Sequence, residues 1–151
     1  MSRPTPVTPL YTATATAGGG RDGRARTATG SLDLELRTPA ELGGPGGGTN
    51  PEELFAAGYA ACFSSALGLV ARRARADVSG AEVTADVSLG KIADSEGFGL
   101  AVRLTVRIPG AAEPTARALV EAAHGVCPYS NAVGGNVVVD LRVETGGAVG
   151  A

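Results

Sequence analysis

Hydrophobic and polar residues alternate with a period of two in five stretches of the chain, which predicts five β-strands. In the second stretch, Leu32, Leu34 and Leu36 alternate with charged residues, as expected of a sheet with one buried and one solvated face. Glycine-rich segments after the first stretch and between the third and fourth supply hairpin turns. The five stretches are residues 10–17, 32–37, 82–89, 100–108 and 137–144.

A long helix is predicted between the second and third strands, and its start is well marked. Asn50 is a suitable N-cap, Pro51 suits the first helical position, and Glu53 completes the spacing of a capping box. We expect this helix to run from Pro51 to about Arg73. Its first half is rich in alanine and glycine, which allows another helix backbone to approach closely, so we expect a helical partner.

A second helix is expected from about Pro114 to His124, stopping near Cys127 and Pro128. The predicted order of elements is therefore ββαββαβ. Antiparallel hairpins separated by a helix indicate an α+β fold rather than a doubly wound parallel sheet. The glycine-rich segment 43–48 is interpreted as a linker, since the Gly-Lys-Ser/Thr sequence of a phosphate-binding loop does not follow it.

The composition limits the classes of protein to which the chain can belong. With 151 residues, 44% of them hydrophobic, we expect a single domain with one core over residues 1–151. A formal net charge of -2 and an aromatic content of 4% argue against a nucleic-acid partner. The N-terminus lacks an apolar signal region, and no apolar run approaches the roughly 20 residues of a membrane span. These patterns predict a soluble cytoplasmic protein without a membrane partner.

The chain has two cysteines, Cys62 and Cys127, and one histidine, His124. Structural disulfides are rare in a reducing cytoplasm, so the cysteines are either buried small apolar residues or a redox pair. They lie 65 positions apart, and contact between them depends on tertiary folding. These spacings do not form a zinc signature, and no metal site is predicted. His124 is interpreted as a helix-end or core residue and stays outside the predicted catalytic set.

Three segments carry the most specific pattern in the chain: Gly-Gly-Arg-Asp-Gly at 19–23, Asn-Pro-Glu-Glu-Leu-Phe-Ala-Ala-Gly-Tyr-Ala-Ala-Cys at 50–62, and His-Gly-Val-Cys-Pro-Tyr-Ser-Asn-Ala at 124–132. Together they resemble the organic hydroperoxide resistance proteins of the OsmC superfamily, and the likeness spans nearly the whole chain. That family usually continues the third segment as Asn-Ala-Thr-Arg-Gly-Asn, whereas this chain has Val133 and Gly134 in place of Thr and Arg. Neither position belongs to the residues to which chemistry is assigned here.

The resemblance implies an OsmC-like fold, an intertwined homodimer in which central helices pack against antiparallel sheets. It also implies a thiol-dependent peroxidase that reduces organic hydroperoxides to alcohols, with Cys62 as the peroxidatic nucleophile and Cys127 as the resolving thiol. By the same resemblance, Arg21 stabilises the Cys62 thiolate and Glu52 orients Arg21. Taken without the combined motif, Arg21 is interpreted as a solvated turn charge and Glu52 as a carboxylate at the positive end of a helix.

Helix geometry places a condition on this site. Glu52 and Cys62 are ten positions apart. In a straight helix that spacing corresponds to about 15 Å along the axis and about 80° around it, so the two side chains cannot touch. Either the helix is broken, or Glu52 and Arg21 serve the Cys62 of a partner chain. The small residues of the helix favour the second option.

Four aromatic residues lie near the cysteines in sequence and are candidates for an apolar substrate entrance, which favours alkyl or fatty-acyl hydroperoxides over hydrogen peroxide. Core packing is the alternative for each of them. By resemblance, no cofactor is expected, and the reductant is an external dithiol, a dihydrolipoyl group or a lipoylated protein. The alternative functions are a general OsmC-type peroxidase and a non-enzymatic redox sensor or ligand-binding dimer. The aromatic candidates are Phe55, Tyr59, Phe63 and Tyr129.

Overall fold

Residues 5–146, which this computed structural model describes, form six strands and three helices. The chain divides into two compact units, of which the first ends at Leu54 and the second begins at Phe55. The helices are α1 (Pro51–Ala74), α2 (Glu113–Val126) and α3 (Pro128–Val133). The strands are β1 (Ala15–Gly18), β2 (Arg24–Thr27), β3 (Asp33–Glu35), β4 (Glu82–Lys91), β5 (Phe98–Arg107) and β6 (Val139–Glu144).

The first unit is built on an antiparallel sheet in the order β1-β2-β3. A 3-10 turn joins β1 to β2, and Gly19 and Gly20 there have φ angles of 78° and 60°, a left-handed conformation that favours glycine. The Asp22 carboxylate accepts hydrogen bonds from the backbone N–H and the hydroxyl of Thr38, at 3.0 and 3.1 Å. These bonds fasten the turn that carries Arg21 to the segment after β3.

The start of α1 follows the predicted capping pattern. Asn50 Oδ1 accepts a hydrogen bond from the Glu53 backbone N–H at 2.9 Å, and Pro51 is the first helical residue. The cap therefore fixes Glu52 in the first turn of the helix. At the other end, α1 stops at Ala74, one residue beyond the predicted boundary.

The second unit contains a mixed sheet in the order β4-β5-β6. β4 and β5 pair antiparallel along their whole length, whereas β6 lies parallel to β5. The chain passes from β5 to β6 through α2 and α3, the kind of crossover that parallel pairing requires.

The core of the second unit lies between this sheet and the buried faces of α1 and α2. Tyr59 and Phe63 of α1, and Leu104 and Val106 of β5, are fully buried. Burying a side chain of this size contributes about 1.5–3 kcal/mol relative to leaving it exposed. Cys127 belongs to the same core and is also fully buried.

The α+β prediction is confirmed, with two added elements and one change in strand direction. Period-two alternation misses β2, since its sequence Arg-Ala-Arg-Thr has no large apolar side chain. It also misses α3, a short helix that follows α2 after one extended residue. The expectation of antiparallel sheets holds for the first unit and is wrong for the β5–β6 pair. The first strand also begins later than predicted, at Ala15.

Helix α1 corrects one expectation about the membrane. By length and composition alone, α1 could span a membrane. The prediction that no apolar run approaches the length of a membrane span is therefore wrong. Core helices meet the same criterion. In the second unit, Tyr59, Phe63 and Leu67 of α1 are at most 2% exposed, and their packing accounts for the apolar composition of this part of the helix.

Candidate active site

The structure brings the two cysteines together. The Sγ atoms of Cys62 and Cys127 lie 3.6 Å apart, and both residues are free thiols. Cys62, on α1, is partly exposed, whereas Cys127 is fully buried between α2 and α3. The pair therefore has one thiol within reach of a solute and one that is shielded from it.

The sequence around Cys127 explains its position. A residue before proline is disfavoured in helical conformation, and Cys127 before Pro128 is extended, with φ of -66° and ψ of 121°. The backbone N–H of Cys127 donates to the Ala123 carbonyl at 2.9 Å, and its own carbonyl accepts from the Asn131 N–H at 3.0 Å. Cys127 thus ends α2 and caps α3 at a defined break.

The surroundings of Cys62 in the second unit favour a protonated thiol. Burial raises the pKa of Cys62, a hydrogen bond from the Tyr129 backbone amide lowers it, and the neighbouring Cys127 thiol raises it again. The net direction is upward. Because a peroxide is attacked by the thiolate, a reactive Cys62 needs a further positive charge.

The first unit contains such a charge in an ion pair. Arg21 Nη1 lies 2.7 Å from Glu52 Oε1, and the side chains are 33% and 18% exposed. The hydrogen bond to the Glu52 carboxylate raises the pKa of Arg21, and an arginine guanidinium carries its charge at any physiological pH. The 2.7 Å contact ties Nη1 to the carboxylate and holds the guanidinium in place.

Three of the four predicted aromatic residues form one cluster in the second unit. The ring centroids of Phe55, Tyr59 and Tyr129 are 5.7 to 6.2 Å apart. Gly58 lets the Tyr129 ring approach α1, because a Cβ at position 58 would lie 2.7 Å from the Tyr129 hydroxyl oxygen. Tyr129 is 37% exposed, whereas Tyr59 and Phe63 are fully buried.

Sequence reasoning misses one buried polar residue at this site, Ser130. Its hydroxyl is 2.7 Å from Tyr59 Oη and 2.8 Å from His124 Nδ1. Ser130 is 4% exposed, and it lies in the Cys-Pro-Tyr-Ser-Asn segment that carries the family resemblance. The contact with Ser130 also brings His124 into this polar cluster. His124 lies outside the predicted catalytic set.

Each predicted pair lies within one unit: Arg21 with Glu52 in the first, and Cys62 with Cys127 in the second. Within the part of the chain that the structure describes, no group of three or more His, Cys, Asp or Glu residues could hold a metal ion.

Comparison with known proteins identifies the family. The model of the OsmC-like protein family matches residues 44–142. An organic hydroperoxide resistance protein of Xanthomonas axonopodis pv. citri is 52% identical over 135 residues, or 89% of this chain and 94% of the relative. The chain belongs to the organic hydroperoxide resistance branch of the OsmC family. Membership implies a role in the detoxification of peroxides.

Solved structures of the family agree with this fold. An organic hydroperoxide resistance protein of Legionella pneumophila is 50% identical, with a TM-score of 0.86 over 91% of this chain and 99% of that one. The family member OhrB of Bacillus subtilis is 43% identical, with a TM-score of 0.83 over 90% of this chain and 100% of its own. The OsmC-like fold expected from the sequence is therefore confirmed.

Proposed function

We propose that this chain is a cysteine-based peroxidase that reduces organic hydroperoxides to alcohols and protects the cytoplasm against oxidative stress. The observation that carries the proposal is the pair of free thiols 3.6 Å apart, of which Cys62 is partly exposed and Cys127 is buried. A structural cysteine has no need of a second thiol at this distance, whereas a peroxidatic cysteine needs a resolving one.

The proposed reaction has three balanced steps. The Cys62 thiolate attacks one peroxide oxygen and breaks the O–O bond; the leaving alkoxide takes a proton to become the alcohol, and Cys62 becomes a sulfenic acid. The Cys127 thiol then attacks the Cys62 sulfur, which forms the disulfide and releases water. Finally, an external dithiol reduces the disulfide and is itself oxidised to a disulfide.

The proposed role of Arg21 follows from the raised pKa of Cys62. The guanidinium, oriented by Glu52, supplies the positive charge that the second unit does not provide to the thiolate. Helix α1 is continuous from Pro51 to Ala74, which favours an arrangement across two chains over one that needs a broken helix. We therefore place the Arg21–Glu52 pair of one protomer at the Cys62 of its partner, in an intertwined homodimer with two composite sites.

The proposed substrate entrance is apolar. Phe55 and Tyr129 are partly exposed and form its wall, while Tyr59 and Phe63 support that wall from the core. An aromatic wall gives an alkyl or fatty-acyl chain apolar surface to bury, an advantage that hydrogen peroxide lacks. The proposed reductant is a dihydrolipoyl group, free or on a lipoylated protein, and no metal, haem or flavin takes part.

Steady-state peroxide consumption tests the proposed function. With dihydrolipoamide in excess, the purified dimer should turn over tert-butyl, cumene and fatty-acid hydroperoxides many times, and more efficiently than hydrogen peroxide. A monothiol should support turnover less well, because it must reduce the disulfide in two separate encounters. Consumption that stops after one equivalent with every reductant would identify a redox sensor instead of an enzyme.

A further inference from the structure

Ser130 joins the two elements that carry the cysteines. Its buried hydroxyl contacts Tyr59 of α1 and His124 of α2, at 2.7 and 2.8 Å. Tyr59 lies three positions before Cys62, His124 three positions before Cys127, and Ser130 three positions after it. Tyr59 and Cys62 both lie on α1, and on a helix a spacing of three puts side chains on the same face. The Tyr59 end of the polar contacts therefore lies on the side of α1 that carries Cys62.

Counting donors favours one direction for these hydrogen bonds. Tyr59 is fully buried, so its O–H needs an acceptor, and the Ser130 oxygen is the one that the structure gives it. The Ser130 O–H can then donate to Nδ1 of His124. In this arrangement the Tyr59 hydroxyl donates to Ser130 and the Ser130 hydroxyl donates to His124, so each hydroxyl has an acceptor.

We propose that the Tyr59–Ser130–His124 hydrogen-bond chain is a positioning device that holds the Cys127 turn against α1 and keeps the two sulfurs ready to form a disulfide. The chain ties together the residues on both sides of Cys127 and the turn of α1 that precedes Cys62. Its importance for turnover rests on the proposed peroxidase function. Its effect on the thiol pair does not rest on that function, because any oxidant that forms the disulfide requires the same approach of the two sulfurs.

Loss of one member has a specific consequence. Without the Tyr59 hydroxyl, Ser130 loses the contact to α1, and the turn from Cys127 to Ser130 is held by fewer bonds. The sulfurs then meet less often, although both thiols remain. During peroxide turnover, the Cys62 sulfenic acid waits longer for Cys127, and a second peroxide molecule oxidises more of it to sulfinic acid.

The test measures the equilibrium of the Cys62–Cys127 disulfide in the dimer with reduced and oxidised glutathione, in the absence of peroxide. Tyr59→Phe keeps the ring and removes only the hydroxyl, and His124→Ala removes the acceptor. Each should lower the effective concentration of the two thiols about ten-fold, the change expected for one lost buried hydrogen bond. His124→Asn, whose amide oxygen can replace Nδ1 as acceptor, should recover most of this loss.

Val106→Ala is the control for general destabilisation. Val106 is fully buried in β5 and its side chain cannot form a hydrogen bond, so this variant should lower the melting temperature and leave the thiol equilibrium at the wild-type value. An equilibrium that is unchanged in Tyr59→Phe and His124→Ala, or one shifted equally by Val106→Ala, would overturn the proposal. Peroxide consumption by the wild type, measured separately, shows whether the proposed function itself holds.

Discussion

At the scale of single residues, the chemistry depends on the protonation of Cys62. Burial and the neighbouring Cys127 thiol raise its pKa, against the lowering by the Tyr129 amide. A raised pKa means that the thiolate fraction grows only as the pH rises above the usual range of a cysteine. In the proposed site, Arg21 reverses this direction, because a guanidinium beside the sulfur stabilises the thiolate.

Arg21→Ala tests that role directly. The pH midpoint for alkylation of Cys62 should move upward by about one unit or more, and oxidation by one equivalent of peroxide at neutral pH should slow about ten-fold. Arg21→Lys should recover part of the rate, since it keeps the charge but loses the planar fork, and Glu52→Gln should fall between Arg21→Ala and the wild type. Stopped-flow oxidation and a pH series of alkylation give both quantities.

Arg24→Ala is the matched control for Arg21→Ala. Arg24 is on β2 and pairs with Asp33 at 2.6 Å, but both side chains are about half exposed, so its loss should leave Cys62 unchanged. If Arg21→Ala behaves like this control in both measurements, Arg21 is a surface turn residue and the thiolate is stabilised by another group.

At the scale of elements, α1 carries Glu52 and Cys62, one residue of each pair in the proposed site, and its small residues allow other side chains to approach closely. Gly58 is the clearest case, because the Tyr129 ring occupies the space in which a larger residue would place its Cβ. The helix thus loses some intrinsic stability at this position in exchange for a close aromatic contact beside the cysteines.

Gly58→Ala should separate stability from substrate preference. Alanine favours the helix by about 1 kcal/mol over glycine, but its Cβ displaces the Tyr129 ring, so we expect little change in melting temperature. The ratio of kcat/KM for cumene hydroperoxide to that for hydrogen peroxide should fall. Gly68→Ala is the control on the same helix, since a Cβ there lies at an ordinary 3.5 Å from Arg72 Nη1. Equal ratios in the two variants would remove Tyr129 from the proposed entrance.

The elements also show what the sequence could predict. Alternating leucines and valines, together with the Asn50 cap, located β3 to β6 and α1 because large buried side chains and a start signal leave a clear pattern. β2 has only small or charged residues, so it leaves no such pattern in the sequence. The direction of β6 depends on the crossover through α2 and α3, which a strand pattern does not contain.

At the scale of the whole molecule, we propose that the site is built from two protomers. On a continuous α1, Glu52 and Cys62 lie about 15 Å apart along the helix axis, which supports that proposal. Spacing in the sequence left the two options open, and it could not bring together Cys62 and Cys127, which are 65 positions apart. Ser130 escaped notice, and His124 was interpreted only as a helix-end or core residue, because the contacts of Ser130 with Tyr59 and His124 exist only in the folded chain.

Mixed dimers test the composite site. A dimer of one Cys62→Ser protomer and one Arg21→Ala protomer contains one complete site if Arg21 acts across the interface, so it should show about half of the wild-type activity. A wild-type protomer paired with a Cys62→Ser/Arg21→Ala protomer should then show only about one-twentieth of it, because its one Cys62 site lacks Arg21 and is slowed about ten-fold. The opposite pattern, a first dimer with about one-twentieth of the wild-type activity and a second one with about half, would place Arg21 and Cys62 of each site in the same protomer.

The central claim is that Cys62 and Cys127 act as a peroxidatic and resolving pair, and the most direct test is a single turnover with one equivalent of cumene hydroperoxide per protomer, followed by peptide mass spectrometry. The wild type should yield one alcohol and a disulfide that links Cys62 to Cys127. Cys127→Ser should still produce the alcohol and leave Cys62 as a sulfenic or sulfinic acid, and Cys62→Ser should leave the peroxide intact. Wild-type protein that consumes no peroxide and keeps both thiols, or a Cys62→Ser variant that consumes it at the wild-type rate, would contradict the account.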